Sequence, residues 1–321
     1  MRAASAGLFK SLALDVLPRA LGLCDRNAGS TTAGCCDRAF WHYRTTDTPN
    51  ARTQESGWLF ALTFVGRKGC NPYAGKPRLA EWSRQAWRFW LQARNRDGSV
   101  CEVYPYERSF CATSFTAAAF LQTVIVLGGP EDWSAELEAA RPTLRWLARN
   151  AKQQVANQVA ASLEALAIYA NLTGEPEFHE ATERRLAVLL KMRDECGFFS
   201  EYGGPDLGYQ SITMATLVRT LPYLKNRSDL LPHLRAAARS YLERCDENAV
   251  WDPVKNSRRT QFLYPSAFVA LCPEFLHRIT LGLERGVLLR PSWMDDRYCV
   301  PFAIDYLFTS ESLGTAAQHQ G

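Results

Sequence analysis

The sequence lacks the features that mark several large classes of protein. Among its 321 residues no uncharged apolar run reaches the length of a membrane-spanning helix, so we predict no transmembrane segment. The 37 basic and 33 acidic residues leave a net charge of only +4, and basic residues cluster at most in pairs such as Arg258–Arg259. A nucleic-acid-binding protein normally carries a concentrated basic stripe, so we predict no nucleic-acid partner. Strand-like alternation of apolar and polar residues is also sparse.

The ten cysteines and five histidines do not form a metal-binding pattern. There is no C-x-x-C motif, and the neighbours Cys35 and Cys36 have no second pair at the spacing of a zinc site. We therefore predict no metal and no cofactor. The start of the chain is interrupted by Lys10, Asp15 and Arg19, which disfavours a secretory leader. A cytoplasmic protein with reduced, mostly buried thiols is the expectation that follows.

Long segments carry the periodicity of helices. In 79–94 apolar side chains recur every three or four residues, whereas 113–127 is almost entirely small or apolar. An amphipathic helix, a polar loop and a more apolar helix follow one another in four copies. The copies are separated by 56, 43 and 52 residues, measured between Leu91, Leu147, Leu190 and Leu242. Unequal periods disfavour a short-repeat solenoid and favour helical hairpins that close into a ring.

The predicted fold is therefore all-α, an α/α toroid of five to six helical hairpins. Amphipathic helices form its outer layer and apolar helices its inner layer. The loop that leads into each inner helix then reaches one mouth of the ring. We expect a single domain over 1–308 and a disordered tail over 309–321, because the last residues are small and polar.

Two motifs resemble those of known α/α toroids. The turn 97–99, followed by the small-residue run 114–119, is similar to the repeat of terpenoid cyclases and protein prenyltransferases. The segment 197–202 resembles the heparinase-like and alginate lyases and the glucuronyl epimerases. The resemblance covers about residues 50–275. The chain departs from these families because it has no asparagine–histidine motif of the alginate-lyase type, and we expect no C-terminal β-sandwich. It also has no D-x-D-D or D-D-x-x-D motif of the isoprenoid enzymes.

Polar and aromatic side chains precede each predicted inner helix. Amides and carboxylates bind the hydroxyl groups of sugars, and aromatic rings pack on pyranose faces, so this combination favours a glycan or another small polar molecule as substrate. We expect the loops 41–55, 97–109, 150–158, 200–210 and 251–264 at one mouth. The candidate substrate-binding residues are Arg52, Gln54, Glu102, Tyr106, Arg108, Asn157, Gln158, Asp206, Gln210, Trp251, Arg258 and Arg259.

The resemblance to the sugar-acting toroids implies β-elimination or C5 epimerisation at a uronic acid of an acidic polysaccharide or oligosaccharide. This chemistry needs a group that neutralises the carboxylate, a base that removes the α-proton and an acid. A tyrosine base would need a depressed pKa, which a neighbouring arginine can provide. The candidate catalytic residues are Tyr202, Tyr209, Glu201 and Glu107.

Three other functions stay open. A glycoside hydrolase would use two carboxylates, Glu107 or Glu102 with Glu201 or Asp206. A terpenoid-cyclase-like or prenyltransferase-like enzyme would take an isoprenoid substrate, and a non-catalytic toroid would bind a glycan or a protein. Structural roles are open as well. Asp206 could cap the following helix, and Asp97 could belong to a simple turn.

Overall fold

The computed structural model describes residues 2–66, 71–150, 155–195, 197–225 and 227–318. These residues form helices and contain no β-strand, only isolated bridges such as that between Val155 and Glu201. The helices are α1 (Arg2–Leu14), α2 (Leu17–Leu23), α3 (Ser56–Val65), α4 (Pro77–Gln92), α5 (Phe110–Val126), α6 (Ser134–Arg149), α7 (Ala156–Thr173), α8 (Pro176–Lys191), α9 (Leu207–Thr220), α10 (Arg227–Arg244), α11 (Phe268–Leu271), α12 (Pro273–Glu284) and α13 (Cys299–Gln318).

The helices form two concentric layers. The inner layer runs α13–α3–α5–α7–α9, and the residues around α11 close it against α13. At this closure Tyr264 stacks on Phe302, with ring centroids 5.2 Å apart. Outside, α4, α6 and α8 cover α3, α5 and α7, while α1 covers α13. The predicted all-α toroid is thus confirmed.

Apolar composition places the inner helices, and amphipathic patterning places the outer ones. Helix α5 consists of small and apolar residues and is buried on nearly every side. Helix α4 buries one face, on which Trp87 and Trp90 are completely enclosed. Their indole N–H groups donate to Thr123 and Thr116 of α5 at 3.0 and 2.9 Å. Trp87 and Trp90 therefore join the inner and outer layers, because buried indoles require hydrogen-bond acceptors.

A tight turn accounts for the motif at 97–99. Asp97 accepts the backbone N–H of Ser99 at 3.0 Å, and Gly98 has φ +93°. A Cβ atom at Gly98 would lie 2.5 Å from the carbonyl carbon of Pro142 in α6. The glycine is required both for the left-handed backbone and for the close approach of α6. The turn and its packing against α6 therefore account for the 97–99 motif that resembles the isoprenoid-enzyme repeat in sequence.

The C-terminal segment differs from expectation. Helix α13 continues without interruption to Gln318, so the disorder that we predicted from residue 309 is wrong for 309–318. Thr309 and Ser310 are buried, and the Ser310 hydroxyl donates to the carbonyl of Ala6 at 2.8 Å. Packing on α1 stabilises a segment whose composition alone predicts no structure. The single domain over 1–308 stays a prediction.

The structure also describes eight of the ten cysteines, and Cys70 and Cys196 lie outside the described residues. Each of the eight is unpaired, and all but Cys111 are buried. In the described part of the chain, no helix combines the length and the apolar character needed to cross a bilayer.

Candidate functional site

A cavity lies inside the ring, at the end where the inner helices α5, α7 and α9 begin. Arg52, Asn157, Tyr202, Tyr209 and Tyr264 contribute to its wall from four of the five predicted loops. The fifth loop, 97–109, leads directly into the part of α5 that also lines it. The loops therefore converge on one space, although residues 151–154 of the third loop lie outside the described residues.

The cavity is small, and its wall combines charged and polar groups with aromatic and aliphatic ones. Its volume is about 50 Å³. A water molecule needs roughly 10–15 Å³ on this measure, so the cavity holds a few waters or one small polar group rather than a whole sugar ring. Glu164 and Arg219 lie on its wall deeper within α7 and α9 and form an ion pair at 3.1 Å. Among the described residues no group of three or more His, Cys, Asp or Glu side chains could hold a metal ion.

Arg52 supplies a buried positive charge at the cavity wall. Asn50 begins the short 3₁₀ turn Ala51–Glu55 by accepting the Arg52 backbone N–H at 3.0 Å. This turn places Arg52 and Glu55 side by side in an ion pair. The guanidinium also lies 4.1 Å from the ring centroid of Phe115 and donates to the Cys111 thiol at 3.5 Å. Burial acts to lower the pKa of Arg52, but the nearby carboxylates outweigh it and raise that pKa, so the group stays charged.

Three tyrosines form the facing wall. The rings of Tyr202 and Tyr209 lie 4.9 Å apart, and Tyr298 lies close enough to Tyr209 to raise its pKa. Gln158 donates to the Tyr202 hydroxyl at 3.4 Å, and the Arg258 guanidinium lies 4.8 Å from the Tyr202 ring centroid. Five side chains from four segments of the chain are thus close together at one mouth of the ring.

The pKa values of the tyrosines move opposite to our expectation. Burial raises the pKa of Tyr202 and, more strongly, that of Tyr209. Arg258 lowers the pKa of Tyr209, but too little to compensate for burial. The depressed pKa that we predicted for a tyrosine base is therefore wrong for both residues in the unliganded site. Both hydroxyls keep their protons at neutral pH.

Glu201 orients Asn157 and does not line the cavity. The Glu201 side chain is completely buried, and its carboxylate accepts the backbone and side-chain N–H groups of Asn157 at 2.9 and 2.7 Å. It also accepts the Thr213 hydroxyl at 2.6 Å. These three bonds fix the Asn157 amide at the cavity wall, which gives Glu201 a positioning role instead of the catalytic one that we expected from sequence.

We predict that Glu201 makes stability depend on pH. Burial raises the pKa of Glu201 to about 8, whereas the unfolded carboxyl titrates near 4.5. Because the folded state holds this proton longer, the contribution is full below the unfolded pKa and is lost as pH rises through the folded one. We expect the free energy of unfolding to fall by roughly 2 kcal/mol or more between pH 5 and pH 8. Urea denaturation at both pH values measures the change. Glu201→Gln should remove most of this slope, and an equal slope in the variant would contradict the assignment.

Four predicted binding residues stabilise the fold instead of lining the cavity. Asp206 is buried and caps α9 by accepting the Tyr209 backbone N–H at 3.1 Å. Gln54, Gln210 and Trp251 each bind main-chain groups of neighbouring segments. These contacts lie where helices and loops meet, and none of the four side chains lines the cavity, although the Nε2 atom of Gln210 is buried without a hydrogen-bond partner.

The loop at 101–108 is held mainly by hydrogen bonds within itself. The Glu107 carboxylate accepts three successive backbone N–H groups of residues 102–104, at 2.7–3.3 Å, and so folds the loop on itself. Tyr106 and Arg108 are exposed, as is Arg259, and none of them lines the cavity. Glu102 is buried and pairs with Arg297 beside the cavity. None of the carboxylates proposed for a hydrolase pair lines the cavity.

Arg297 and Tyr298 are site residues that sequence reasoning missed. Both line the cavity and directly precede α13, the inner helix that closes the ring. They lie just before an apolar helix, while Asn157 and Tyr209 lie in the first turn of theirs, so all four are at the same end of the inner layer. The signal was present in the sequence, since a polar pair followed by an apolar run also marks the other mouth loops.

The fold and the cavity can be compared with known proteins. No protein-family model matches this chain, and no curated protein sequence does. A solved structure, polysaccharide lyase BACCELL_00875, is similar over 97% of this chain and 99% of its own, with a TM-score of 0.55 and 12% sequence identity. The chain is thus an α/α toroid whose architecture is similar to that of a polysaccharide lyase. At this identity the likeness shows the fold alone.

Proposed function

We propose that the protein is an enzyme of polysaccharide-lyase type, which cleaves an acidic polysaccharide by β-elimination at a uronic acid. The observation that carries the proposal is the content of the cavity. A buried arginine, a fixed amide and two neighbouring tyrosines line one small space: Arg52, Asn157, Tyr209 and Tyr298. The similarity in architecture to a polysaccharide lyase supports it.

The size of the cavity suits the carboxylate of a uronic acid. A volume of about 50 Å³ admits a carboxylate while the sugar ring stays at the mouth. The guanidinium N–H groups of Arg52 that do not bind Glu55, together with the Asn157 amide, would bind the carboxylate there. Neutralising that charge makes the proton on the adjacent carbon more acidic, because negative charge develops on the carboxylate as the proton leaves.

Tyr209 and Tyr298, which are neighbours on the cavity wall, would carry the proton transfers. Tyr209, which keeps its proton because burial raises its pKa, donates that proton to the leaving glycosidic oxygen. Tyr298, beside the Arg297 guanidinium, takes up the proton from C5 and passes its own hydroxyl proton to Tyr209. The C5–H and C4–O bonds break and a C4=C5 double bond forms. Each of the two hydroxyls has then gained one proton and given up one, so both groups are restored.

The alternatives lack comparable support. A cavity for an isoprenoid would be lined almost wholly by aromatic and aliphatic groups, whereas here Arg52, Glu55, Glu164 and Arg219 lie among such groups. A hydrolase needs two free carboxylates across the site. Glu55 and Glu164, which do line the cavity, are both paired with arginines.

The direct test is incubation with three acidic polysaccharides, hyaluronan, alginate and polygalacturonate. We expect ultraviolet absorbance from an unsaturated uronate to rise together with new reducing ends for at least one of them, and Tyr209→Phe serves as the inactive control. New reducing ends without absorbance would contradict the proposal in favour of a hydrolase. Deuterium incorporation at C5 without cleavage would favour an epimerase, and binding without turnover would favour a non-catalytic toroid.

A further inference from the structure

A larger groove adjoins the cavity. Its volume is about 590 Å³, more than ten times that of the cavity. Its walls come from residues 36–53, from the start of the 101–108 loop and from the residues just before α13. A space of this size is typical of sites that hold a small organic molecule, for which roughly 300–1,000 Å³ is usual.

The groove and the cavity share Arg297. This residue lines both spaces, while its ion-pair partner Glu102 lines the groove alone. The second oxygen of Glu102 accepts the hydroxyl of Ser109, which caps α5, at 3.0 Å. The Arg297–Glu102 pair is therefore anchored to the inner ring and forms the boundary between the two spaces. A molecule that extends from one space into the other must pass beside the Arg297 guanidinium.

The far wall of the groove is held in place by the protein itself. The two carboxylate oxygens of Asp37 accept the backbone N–H groups of Ala39 and Asn50, at 3.0 and 2.8 Å. The Trp41 indole donates to the carbonyl of Leu23 at 2.8 Å, which ties the wall to α2. These bonds connect the two ends of the 37–50 segment and fix its path, so the groove is preformed.

The exposed groups of the groove are of the kinds that bind carbohydrates. Thr48, Thr53 and Asn50 present hydroxyl and amide groups. Tyr43 is 61% exposed, which leaves its ring accessible to a pyranose face, and Arg38 lies 5.3 Å from its ring centroid. The acidic groups of the wall are engaged elsewhere, because Asp37 binds backbone and Asp296 pairs with Arg19 at 2.6 Å.

We propose that this groove binds the sugar residues next to the one whose carboxylate enters the cavity, with Tyr43 packing against a pyranose ring. The substrate is then an extended acidic chain of at least three sugars rather than a monosaccharide or disaccharide. The inference rests on the proposed function for the position of the reacting sugar. Its own support is the shared residue Arg297, the volume of the groove and its hydroxyl, amide and aromatic lining.

The experiment measures binding by titration calorimetry with disaccharides and hexasaccharides of hyaluronan, alginate and polygalacturonate. We expect at least one hexasaccharide to bind ten times more tightly than its disaccharide. Tyr43→Ala should weaken hexasaccharide binding about three- to tenfold, as expected for loss of one packed aromatic ring, and leave disaccharide binding unchanged. Trp293→Ala is the matched control, because Trp293 is similarly exposed at 55% and lies outside the groove.

The two proposals fail in different ways. Equal affinity for disaccharide and hexasaccharide, equal effects of the two variants, or no binding of any probe would overturn the groove assignment. If elimination is still measured when the affinities are equal or the two variants have equal effects, the proposed function remains supported. Length-dependent binding that is sensitive to Tyr43→Ala, without an unsaturated product, would support the groove and overturn the lyase chemistry.

Discussion

Replacement of Tyr209 by phenylalanine is expected to lower kcat for elimination by about 10²–10⁴-fold, the usual contribution of a positioned acid or base. The substitution removes the hydroxyl that would donate a proton to the leaving oxygen and receive one from Tyr298. The ring itself keeps its packing, because it contacts Tyr202 at 4.9 Å and Phe262 at 5.6 Å between centroids. Steady-state kinetics on the polysaccharide that is cleaved, with a denaturation curve for each protein, measures the effect.

The control for this prediction is Tyr223→Phe, which removes a tyrosine hydroxyl just beyond α9 and outside the cavity lining. We expect its kcat to be unchanged. Tyr298→Phe should be about as damaging as Tyr209→Phe, and the double variant should be little worse than either, because two residues that act as a unit have non-additive effects. A Tyr209→Phe enzyme that keeps a tenth of the normal kcat would remove Tyr209 from the proton transfer.

The sequence allowed the architecture and part of the site to be predicted, because both depend on local patterns. Amphipathic helices such as 79–94 and apolar ones such as 113–127 reveal their layer through periodicity. In a closed ring, residues that precede an inner helix lie at the mouth. Arg52, Asn157 and Tyr209 were therefore found by their position along the chain.

Residue type alone could not show which polar side chains turn inward. Gln54 and Gln210 precede inner helices as Asn157 does, yet they bind main-chain groups that the ring geometry brings near. Glu201 has the chemistry of a catalytic carboxyl but is enclosed by Asn157 and Thr213. Such assignments depend on contacts between residues far apart in sequence, which no local pattern encodes. We did not predict α13 as an inner helix, because the C-terminal part of this segment is small and polar.

Arg219→Ala is expected to have the largest effect on stability, with a loss of about 3–5 kcal/mol in the free energy of unfolding. The Arg219 guanidinium binds Glu164 at 3.1 Å and lies 3.7 Å from Asp305. It also packs against Trp58 and Phe308, 5.5 and 5.6 Å from their ring centroids. Its removal leaves the buried Glu164 carboxylate without a compensating charge, and the penalty for that group is large. Urea denaturation measures the loss.

Arg145→Ala provides the matched comparison, because Arg145 forms an ion pair of similar length, 2.9 Å, with Glu177 on the exposed surface. Exposed pairs contribute about 0–1 kcal/mol, so this variant should unfold almost as the parent protein does. Adding Glu164→Gln to Arg219→Ala should recover part of the stability, since the main cost is the unpaired charge. Equal losses in Arg219→Ala and Arg145→Ala, or no recovery in the double variant, would show that the buried pair does not stabilise the ring.

Because this pair joins α7 to α9, the helices that present Asn157 and Tyr209, its loss should also reduce activity at temperatures where the parent protein is folded.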